Sequence, residues 1–261
     1  MIFLGYFIAI LIGVISCVLG GGGAILTIPT LVYIFKIPPV LATSYSLFIV
    51  GLTSIFGVSF YNKEKLVEFK TGFFFSIPSI LGLLLSRKIL LPSIPEKILA
   101  TSFFNLTKDS LVITFFGIIM LLASFSMIKK EKVQSYVKNS SISEIMLKGF
   151  GVGGVTGFVG AGGGFMIIPV LALSLKLEMK KAVATSLFII AINSSFGFLG
   201  DIISNKNIDW NFLLYFCSFT VFGVIIGNYI AKFISSEKLK PAFGYFVLIM
   251  GIFVILKEFL K

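Results

Sequence analysis

The sequence predicts an all-α polytopic membrane protein made of two homologous four-segment repeats, each of which begins with a glycine-broken apolar segment. Three observations predict this fold class. Of the 261 residues, 57% are hydrophobic and only 13% are charged, whereas about a quarter of the residues in a soluble domain are charged. Apolar runs of about 18 residues or more, long enough to cross a bilayer as helices, recur between short lysine-containing connectors. The same pattern then occurs twice along the chain.

Eight apolar segments follow one another, four on each side of a polar stretch. This stretch, "KKEKVQSYVKNSSISE" at residues 129–144, is predicted to be a linker between a first repeat at residues 1–128 and a second at residues 145–261. The segments are Ile2–Phe35, Val40–Phe60, Phe73–Leu91 and Asp109–Ile128 in the first half, and Ile145–Leu175, Ala182–Ile203, Phe212–Ile234 and Pro241–Leu260 in the second.

The first segment of each half contains a glycine-rich stretch that is unfavourable in a continuous helix. These stretches are "LGGGGAILTIPTL" at residues 19–31 and "VGAGGGFMIIPVL" at residues 159–171. Each glycine in a helix interior costs about 1 kcal/mol relative to alanine. The sequence therefore predicts a break in both segments, as a discontinuous helix or as a re-entrant hairpin.

An offset of 140 residues aligns the two halves. It places Gly20 on Gly160, Pro29 on Pro169, and "SLFI" at residues 46–49 on "SLFI" at residues 186–189. From Gly20 to Gly57, 15 of 38 aligned positions are identical. Unrelated apolar segments would share leucine and isoleucine but not matching glycine, proline and serine, so the offset indicates a duplication. Residues 100–108, "ATSFFNLTK", are predicted to be an insertion found only in the first half.

Several motifs carry a resemblance to a known family. They are the glycine-rich break followed by Pro-x-Leu, "KAVATSLFIIAINSSFG" at residues 181–197, "IDW" at residues 208–210 and "GVIIG" at residues 223–227. This pattern resembles the TauE/SafE family of sulfite and organosulfonate exporters over essentially the whole chain. The resemblance implies a permease or exporter of small anions in the cell membrane, with sulfite, sulfonate or related organosulfur or carboxylate anions as substrates.

The glycine breaks predict an anion site. A half-length helix that begins just after the glycines directs its N-terminal amides, and about half a positive charge from its dipole, at the break. Two breaks that face each other near the bilayer midplane would bind an anion, as in transporters with discontinuous helices. The alternative is that glycine only permits close helix packing. The predicted backbone ligands are Gly21, Gly22, Gly23 and Ala24 in the first repeat and Gly162, Gly163 and Gly164 in the second.

Polar residues on the next segment of each repeat are a second set of candidates. The spacing of Ser46 and Thr53, and of Ser186 and Asn193, places each pair on one helical face. Their hydroxyl and amide groups could donate hydrogen bonds to the oxygens of an anion, although hydrogen bonding between helices is the alternative. The predicted side-chain ligands are Ser46, Ser54, Thr185, Ser186, Asn193 and Ser194.

Composition excludes several other classes. The chain has no histidine, so no histidine-based metal site, general base or hydrolase is expected, and no cofactor is predicted. The basic residues are spread over nearly all connectors, which favours anchoring at the lipid bilayer over nucleic-acid binding. Asp201 is the acid most nearly within a span and is expected at the interface, so a proton relay has little support. A homodimer is retained as one alternative for the oligomeric state.

Two other functions stay open. A membrane thiol–disulfide electron carrier could use Cys17 and Cys217, although at the repeat offset Gly157 aligns with Cys17 and Ser76 with Cys217. Buried structural thiols are the simpler interpretation. A non-transporting assembly subunit is the other alternative, but it would not require glycine breaks in both repeats.

Orientation depends on whether the glycine-broken segments cross the membrane. If both cross, the connectors divide the 22 basic residues about 11 to 11. If each segment is a hairpin that turns back, each half crosses three times, the repeats are inverted and the division becomes about 14 to 8. The hairpin arrangement is favoured, with the linker in the cytoplasm and both termini outside.

Overall fold

Helices account for nearly all of the residues that the computed structural model describes, which are 2–20, 22–101, 104–128, 141–160, 163–204 and 208–259. Among these residues, seven helical stretches are long and apolar enough to cross a membrane. The prediction of an all-α polytopic membrane protein is confirmed. The helices are α1 (Ile2–Leu19), α2 (Gly22–Pro29), α3 (Pro39–Lys63), α4 (Phe69–Leu85), α5 (Leu91–Ser93), α6 (Lys108–Ile128), α7 (Ile142–Val159), α8 (Gly164–Pro169), α9 (Met179–Ser204), α10 (Trp210–Ala231) and α11 (Ser236–Phe259).

The distribution of side chains is that of a protein dissolved in lipid. Large apolar side chains such as Leu147, Phe233 and Ile203 are more than 70% exposed, whereas small polar side chains, including Ser46 and Ser186, are fully buried. A soluble protein rarely exposes apolar surface on this scale. Small polar side chains therefore lie inside the helix bundle, and the candidate ligands Ser46, Ser54, Thr185, Ser186, Asn193 and Ser194 are among them.

The predicted insertion at residues 100–108 falls in a short β-hairpin between α5 and α6. Strands β1 (Lys97–Thr101) and β2 (Phe104–Thr107) pair antiparallel, with Ala100 opposite Asn105. The branched and aromatic residues of "KILAT" and "FNLT" suit a strand better than a helix. This hairpin is the exception to the helical architecture of the described residues.

The first glycine break is a turn that folds α2 back along α1. Gly20 has a φ of +72°, a left-handed conformation that glycine adopts without steric cost and that commonly ends a helix. The chain continues through α2 and a π-helical turn, Thr30–Ile34, to Phe35. The ring of Phe35 lies against Gly5 and is 6.0 Å from the ring of Tyr6, near the start of α1. The two arms therefore run antiparallel.

The backbone conformation of this segment recurs 140 residues later. Gly160 has the same φ of +72° as Gly20, and a second π-helical turn, Val170–Ser174, follows α8. Lys36 and Lys176 then end the two half-helices with φ values of +58° and +56°. The offset that aligns the sequence is thus also the spacing at which these unusual conformations occur. The division into two repeats stays a prediction, as does its placement in the bilayer.

The helices pack as pairs drawn from opposite halves. Helix α1 packs on α10, α4 on α7, α3 on α9, and α6 on α11. Glycine allows two of these pairs to approach closely: a Cβ at Gly13 would lie 2.8 Å from the Cα of Gly223, and one at Gly82 would lie 2.8 Å from the N of Gly154. Helix α7 begins at Ile142, so it includes the last three residues of the predicted linker. Most of that linker, residues 129–140, lies outside the described residues.

Candidate functional site

The first glycine break reaches into the second half of the chain. A Cβ at Gly20 would lie 2.8 Å from Cδ1 of Ile168 on α8 and 2.9 Å from Oγ of Ser186 on α9. Ser186 is fully buried, and its hydroxyl donates a hydrogen bond of 2.8 Å to the carbonyl of Val183. The structure therefore brings together one predicted break and one predicted side-chain ligand. Ala24, also a predicted ligand, is buried in the first turn of α2.

The second break packs in the same way against the first half. The Cβ position at Gly160 is filled by Thr43 of α3. Gly163 has a φ of +80°, and Thr156 fills its Cβ position. In the first half, Ser16 fills the Cβ position of Gly23. Backbone conformation and close packing thus already require glycine at several of these positions. Gly22 and Gly164 begin helices α2 and α8. The predicted ligands Gly21 and Gly162 lie outside the described residues.

Four predicted side-chain ligands have buried oxygen atoms that form no hydrogen bond with any described residue. They are Oγ of Ser46, Ser54 and Ser194, and Oδ1 of Asn193. The amide nitrogen of Asn193 does have a partner, since it donates a hydrogen bond of 2.7 Å to Oγ of Ser79 on α4. A buried polar group without a partner costs about 1–3 kcal/mol. The hydroxyl oxygens of Ser16, Ser76 and Ser86 are likewise without a partner among the described residues, so such oxygens occur along α1 and α4 as well as on α3 and α9.

Thr185 lies in a different environment from its neighbour Ser186. Its Oγ1 accepts a hydrogen bond of 3.0 Å from the backbone N–H of Glu68, at the start of α4. At the equivalent place in the other half, the hydroxyl of Tyr45 accepts one of 2.8 Å from the backbone N–H of Asp209, at the start of α10. Both contacts cap a helix N-terminus, where N–H groups have no partner within the helix. Thr185 thus contributes to the fold here.

The sequence interpretation missed one charged cluster next to the second break. Arg87 lies in a π-helical turn, Ser86–Leu90, that continues helix α4. Its side chain is 4% exposed. Its Nε donates a hydrogen bond of 2.7 Å to Oδ1 of Asp201 on α9, and its Nη2 forms an ion pair with the other carboxylate oxygen. An arginine in an otherwise apolar segment is itself a signal, but only the fold supplies its partner.

Further contacts connect the Arg87–Asp201 pair to α3 and α7. Nη1 of Arg87 donates to the carbonyl of Gly157 at 3.2 Å, and Nη2 donates to Oγ of Ser44 at 3.0 Å. Ser44 in turn donates to Asp201 at 2.6 Å. Gly157 lies three residues before the break at Gly160. Asp201 was expected at the interface; it lies one turn from the end of α9, paired with arginine.

The described residues contain no group of three or more histidine, cysteine, aspartate or glutamate side chains that could hold a metal ion. The two cysteines are free and buried. Cys17 lies beside α10, since a Cβ at Gly227 would be 2.9 Å from its Cβ. Cys217 lies ten residues earlier on the same helix, about 15 Å away along its axis at 1.5 Å per residue. A disulfide requires Cα atoms within about 7 Å of each other, so this arrangement gives no redox pair.

Comparison with known proteins agrees with the membrane architecture. A probable membrane transporter protein of Bacillus subtilis, YunE, is 26% identical to this chain over 94% of its length and 93% of the relative. A probable membrane transporter protein of Xylella fastidiosa is 25% identical over 94% of this chain and 91% of the relative. A third, from Methanocaldococcus jannaschii, is 32% identical over 42% of this chain and 43% of the relative. No solved structure matches the chain significantly.

The family described as Sulfite exporter TauE/SafE matches residues 5–254. This match covers both glycine breaks, the α3–α9 pair and the Arg87–Asp201 pair. The Bacillus subtilis and Xylella fastidiosa relatives are similar over almost the full chain, and both are described as probable membrane transporter proteins. The chain is a multi-pass membrane protein that belongs to the TauE/SafE family of membrane transporters.

Proposed function

We propose that this protein carries small anions across the cell membrane and binds them between the two glycine breaks. The substrates we propose are sulfite, which the family description names, and sulfonates or related organosulfur and carboxylate anions. Transport requires no chemical conversion of the substrate, and we propose no enzymatic activity. One observation carries the proposal: three serine hydroxyls with no hydrogen-bond partner among the described residues, those of Ser46, Ser54 and Ser194, lie on α3 and α9, the helices against which the breaks pack.

The hydroxyl groups supply hydrogen bonds that an anion needs. Serine and threonine hydroxyls rotate, so one that donates to its own helix can donate to a ligand instead. Ser186 is placed for this exchange, because its Oγ adjoins Gly20 and now donates to the carbonyl of Val183. Hydrogen bonds to charged acceptors contribute about 1.5–3 kcal/mol each. A few such groups would hold a small anion without a lysine at the centre of the bundle.

The half-helices supply a favourable electrostatic field. Helix α2 begins at Gly22, immediately after the first break, and α8 begins at Gly164, after the second. The N-terminus of a helix carries about half a positive charge and unpaired N–H groups. Helices α2 and α8 contact each other, and Ile168 of α8 lies against Gly20. This contact supports a single site shared by both breaks.

We further propose that the two repeats are inverted and that each glycine-broken segment is a re-entrant hairpin. The contact of Phe35 with Gly5 supports this arrangement, because it returns α2 to the side on which α1 begins. Each half then crosses the membrane three times, through α3, α4 and α6 or through α9, α10 and α11. Helix α7, the seventh stretch long enough to cross, would then be an arm of the second hairpin. Residues 129–144 would lie in the cytoplasm and both termini outside.

Reconstitution in liposomes tests the function. Purified protein would be assayed for uptake of sulfite, thiosulfate, methanesulfonate and acetate, with and without a proton gradient. We expect saturable uptake of at least one sulfur-containing anion. Uptake of none of the four anions above that of protein-free liposomes would contradict the proposal. The electron-carrier alternative is not favoured by any observation, since Cys17 and Cys217 are too far apart to exchange a disulfide.

A further inference from the structure

The Arg87–Asp201 pair borders a cavity of about 350 Å³ between α4 and α9. The charged side chains in its lining are Arg87, Lys88 and Asp201, and Gly197 and Gly200 form part of its wall on α9. Two positive charges and one negative charge leave this lining with a net charge of +1. A water molecule occupies about 30 Å³ of liquid volume, so the cavity has room for a small oxyanion together with several waters.

One N–H group of the Arg87 guanidinium has no hydrogen-bond acceptor among the described residues. A guanidinium carries five N–H groups. Acceptors on Asp201, Ser44, Thr43 and Gly157 engage its Nε, its Nη2 and one N–H of its Nη1. The second N–H of Nη1 has no acceptor among the residues that the structure describes. An oxyanion in the cavity can therefore be bound by Arg87, and it resembles the carboxylate of Asp201 in charge and geometry.

The equivalent contact beside the first break is a hydrogen bond between two neutral groups. At the repeat offset, Gly157 corresponds to Cys17 and Asp201 corresponds to Tyr61. The hydroxyl of Tyr61 donates a hydrogen bond of 2.9 Å to the carbonyl of Cys17. In the second half, the guanidinium of Arg87 donates the hydrogen bond to the corresponding carbonyl, that of Gly157. A neutral contact is thus sufficient to hold this part of the fold together. Burying two charges costs free energy even when they are paired. Stabilisation of the fold alone therefore does not explain why an ion pair occurs at the second break.

We propose that this cavity is an anion-binding vestibule, a subsite through which a small oxyanion reaches the second glycine break. Arg87 binds the anion there, and Asp201 competes with the anion for the same guanidinium. Lys88, whose side chain is exposed, adds positive charge at the mouth of the cavity. The inference rests on the proposed function, because it assigns a second subsite on the path of the transported anion.

Kinetics of ³⁵S-sulfite uptake by the full-length protein in liposomes test the vestibule. Asp201→Asn removes the competing charge but keeps the shape of the side chain, so we expect KM for sulfite to fall about tenfold. Arg87→Gln removes the ligand, and we expect KM to rise at least tenfold, since each charge-assisted hydrogen bond contributes about a factor of ten or more. Opposite shifts from the two partners of one ion pair are the signature of competition.

The purely structural alternative predicts a different result. If the pair only joins α4 to α9, both substitutions would lower the melting temperature and leave KM within twofold of wild type, and this outcome would overturn the vestibule. Tyr61→Phe is the matched control, because it removes the corresponding hydrogen bond in the other half without changing charge; its KM should stay within twofold. Should Arg87→Gln fail to fold with Asp201 unpaired, the double variant Arg87→Gln/Asp201→Asn carries neither charge and should show the same rise in KM.

Different experimental outcomes would overturn the vestibule proposal alone or together with sulfite as the substrate. Sulfite uptake that is weakened by Ser186→Ala, yet unchanged in KM by both Arg87→Gln and Asp201→Asn, would overturn the vestibule alone. No uptake of sulfite by either the wild type or Asp201→Asn would overturn the vestibule together with sulfite as the transported anion.

Discussion

The hydroxyl oxygen of Ser186 lies 2.9 Å from the position that a Cβ would occupy at Gly20. A side chain on the second half of the chain thus adjoins the turn that opens the first half. This proximity matters for the choice of experiment. Glycine at the breaks is required by backbone conformation and packing, so a larger residue there disturbs folding and binding together. Substitution of the neighbouring hydroxyl can separate the two effects.

The first prediction concerns the conformation of the second break. Gly163→Ala should destabilise the protein by about 1–2 kcal/mol or more, because an L-residue is strained in the left-handed region and its Cβ would meet Thr156. Gly151, within α7, has no atom within 4 Å of its Cβ position. Gly151→Ala should therefore stabilise the helix by up to about 1 kcal/mol. Melting temperatures of the purified variants measure both effects, and an unchanged Gly163→Ala protein would refute the left-handed turn.

Asn193 offers a second test, because its amide nitrogen carries a second N–H besides the one that it donates to Ser79. Asn193→Ala should weaken binding of the transported anion about five- to a hundredfold, if its amide also bonds the ligand. The control is Ser79→Ala, which removes only the partner of the amide nitrogen. We expect Ser79→Ala to change anion affinity less than Asn193→Ala, as measured by titration of the purified proteins. Equal losses would show that Asn193 acts through its bond to Ser79.

The sequence predicts a feature when that feature depends on residues close together along the chain. The apolar segments and the breaks at Gly20 and Gly160 were predictable, because helix length and glycine runs are local properties. The Arg87–Asp201 pair joins residues 114 positions apart, and nothing local marks Asp201 as its partner. Similarly, helical periodicity could place Thr185 beside Ser186 but could not show that its hydroxyl caps α4.

The cysteines provide a third prediction. Cys17→Ala/Cys217→Ala should leave anion uptake by liposomes within about twofold of wild type, since both thiols are buried and the two are about 15 Å apart along α10. The carbonyl of Cys17, which accepts the hydrogen bond from Tyr61, is retained in the variant. Loss of uptake by a normally folded double variant would revive the thiol-exchange function.

The fourth prediction is topological. If each glycine-broken segment turns back, both termini lie on the same side of the membrane and the central linker lies on the other. Reporter fusions after Asn139 and after Lys261 should then give opposite signals, with the reporter at Asn139 in the cytoplasm. Equal signals would contradict inverted repeats and favour two segments that cross the membrane.

The central claim is that an anion binds between the breaks, and Ser186→Ala tests it most directly. Ser124 of α6 is the matched control, because it is also fully buried and its hydroxyl also donates to a carbonyl three residues earlier. Purified wild type, Ser186→Ala and Ser124→Ala would be titrated with sulfite, thiosulfate, methanesulfonate and acetate while anion-dependent thermal stability is measured. We expect the Kd of the tightest-binding anion to rise about five- to a hundredfold in Ser186→Ala only. Three proteins of equal affinity would contradict a site at the breaks.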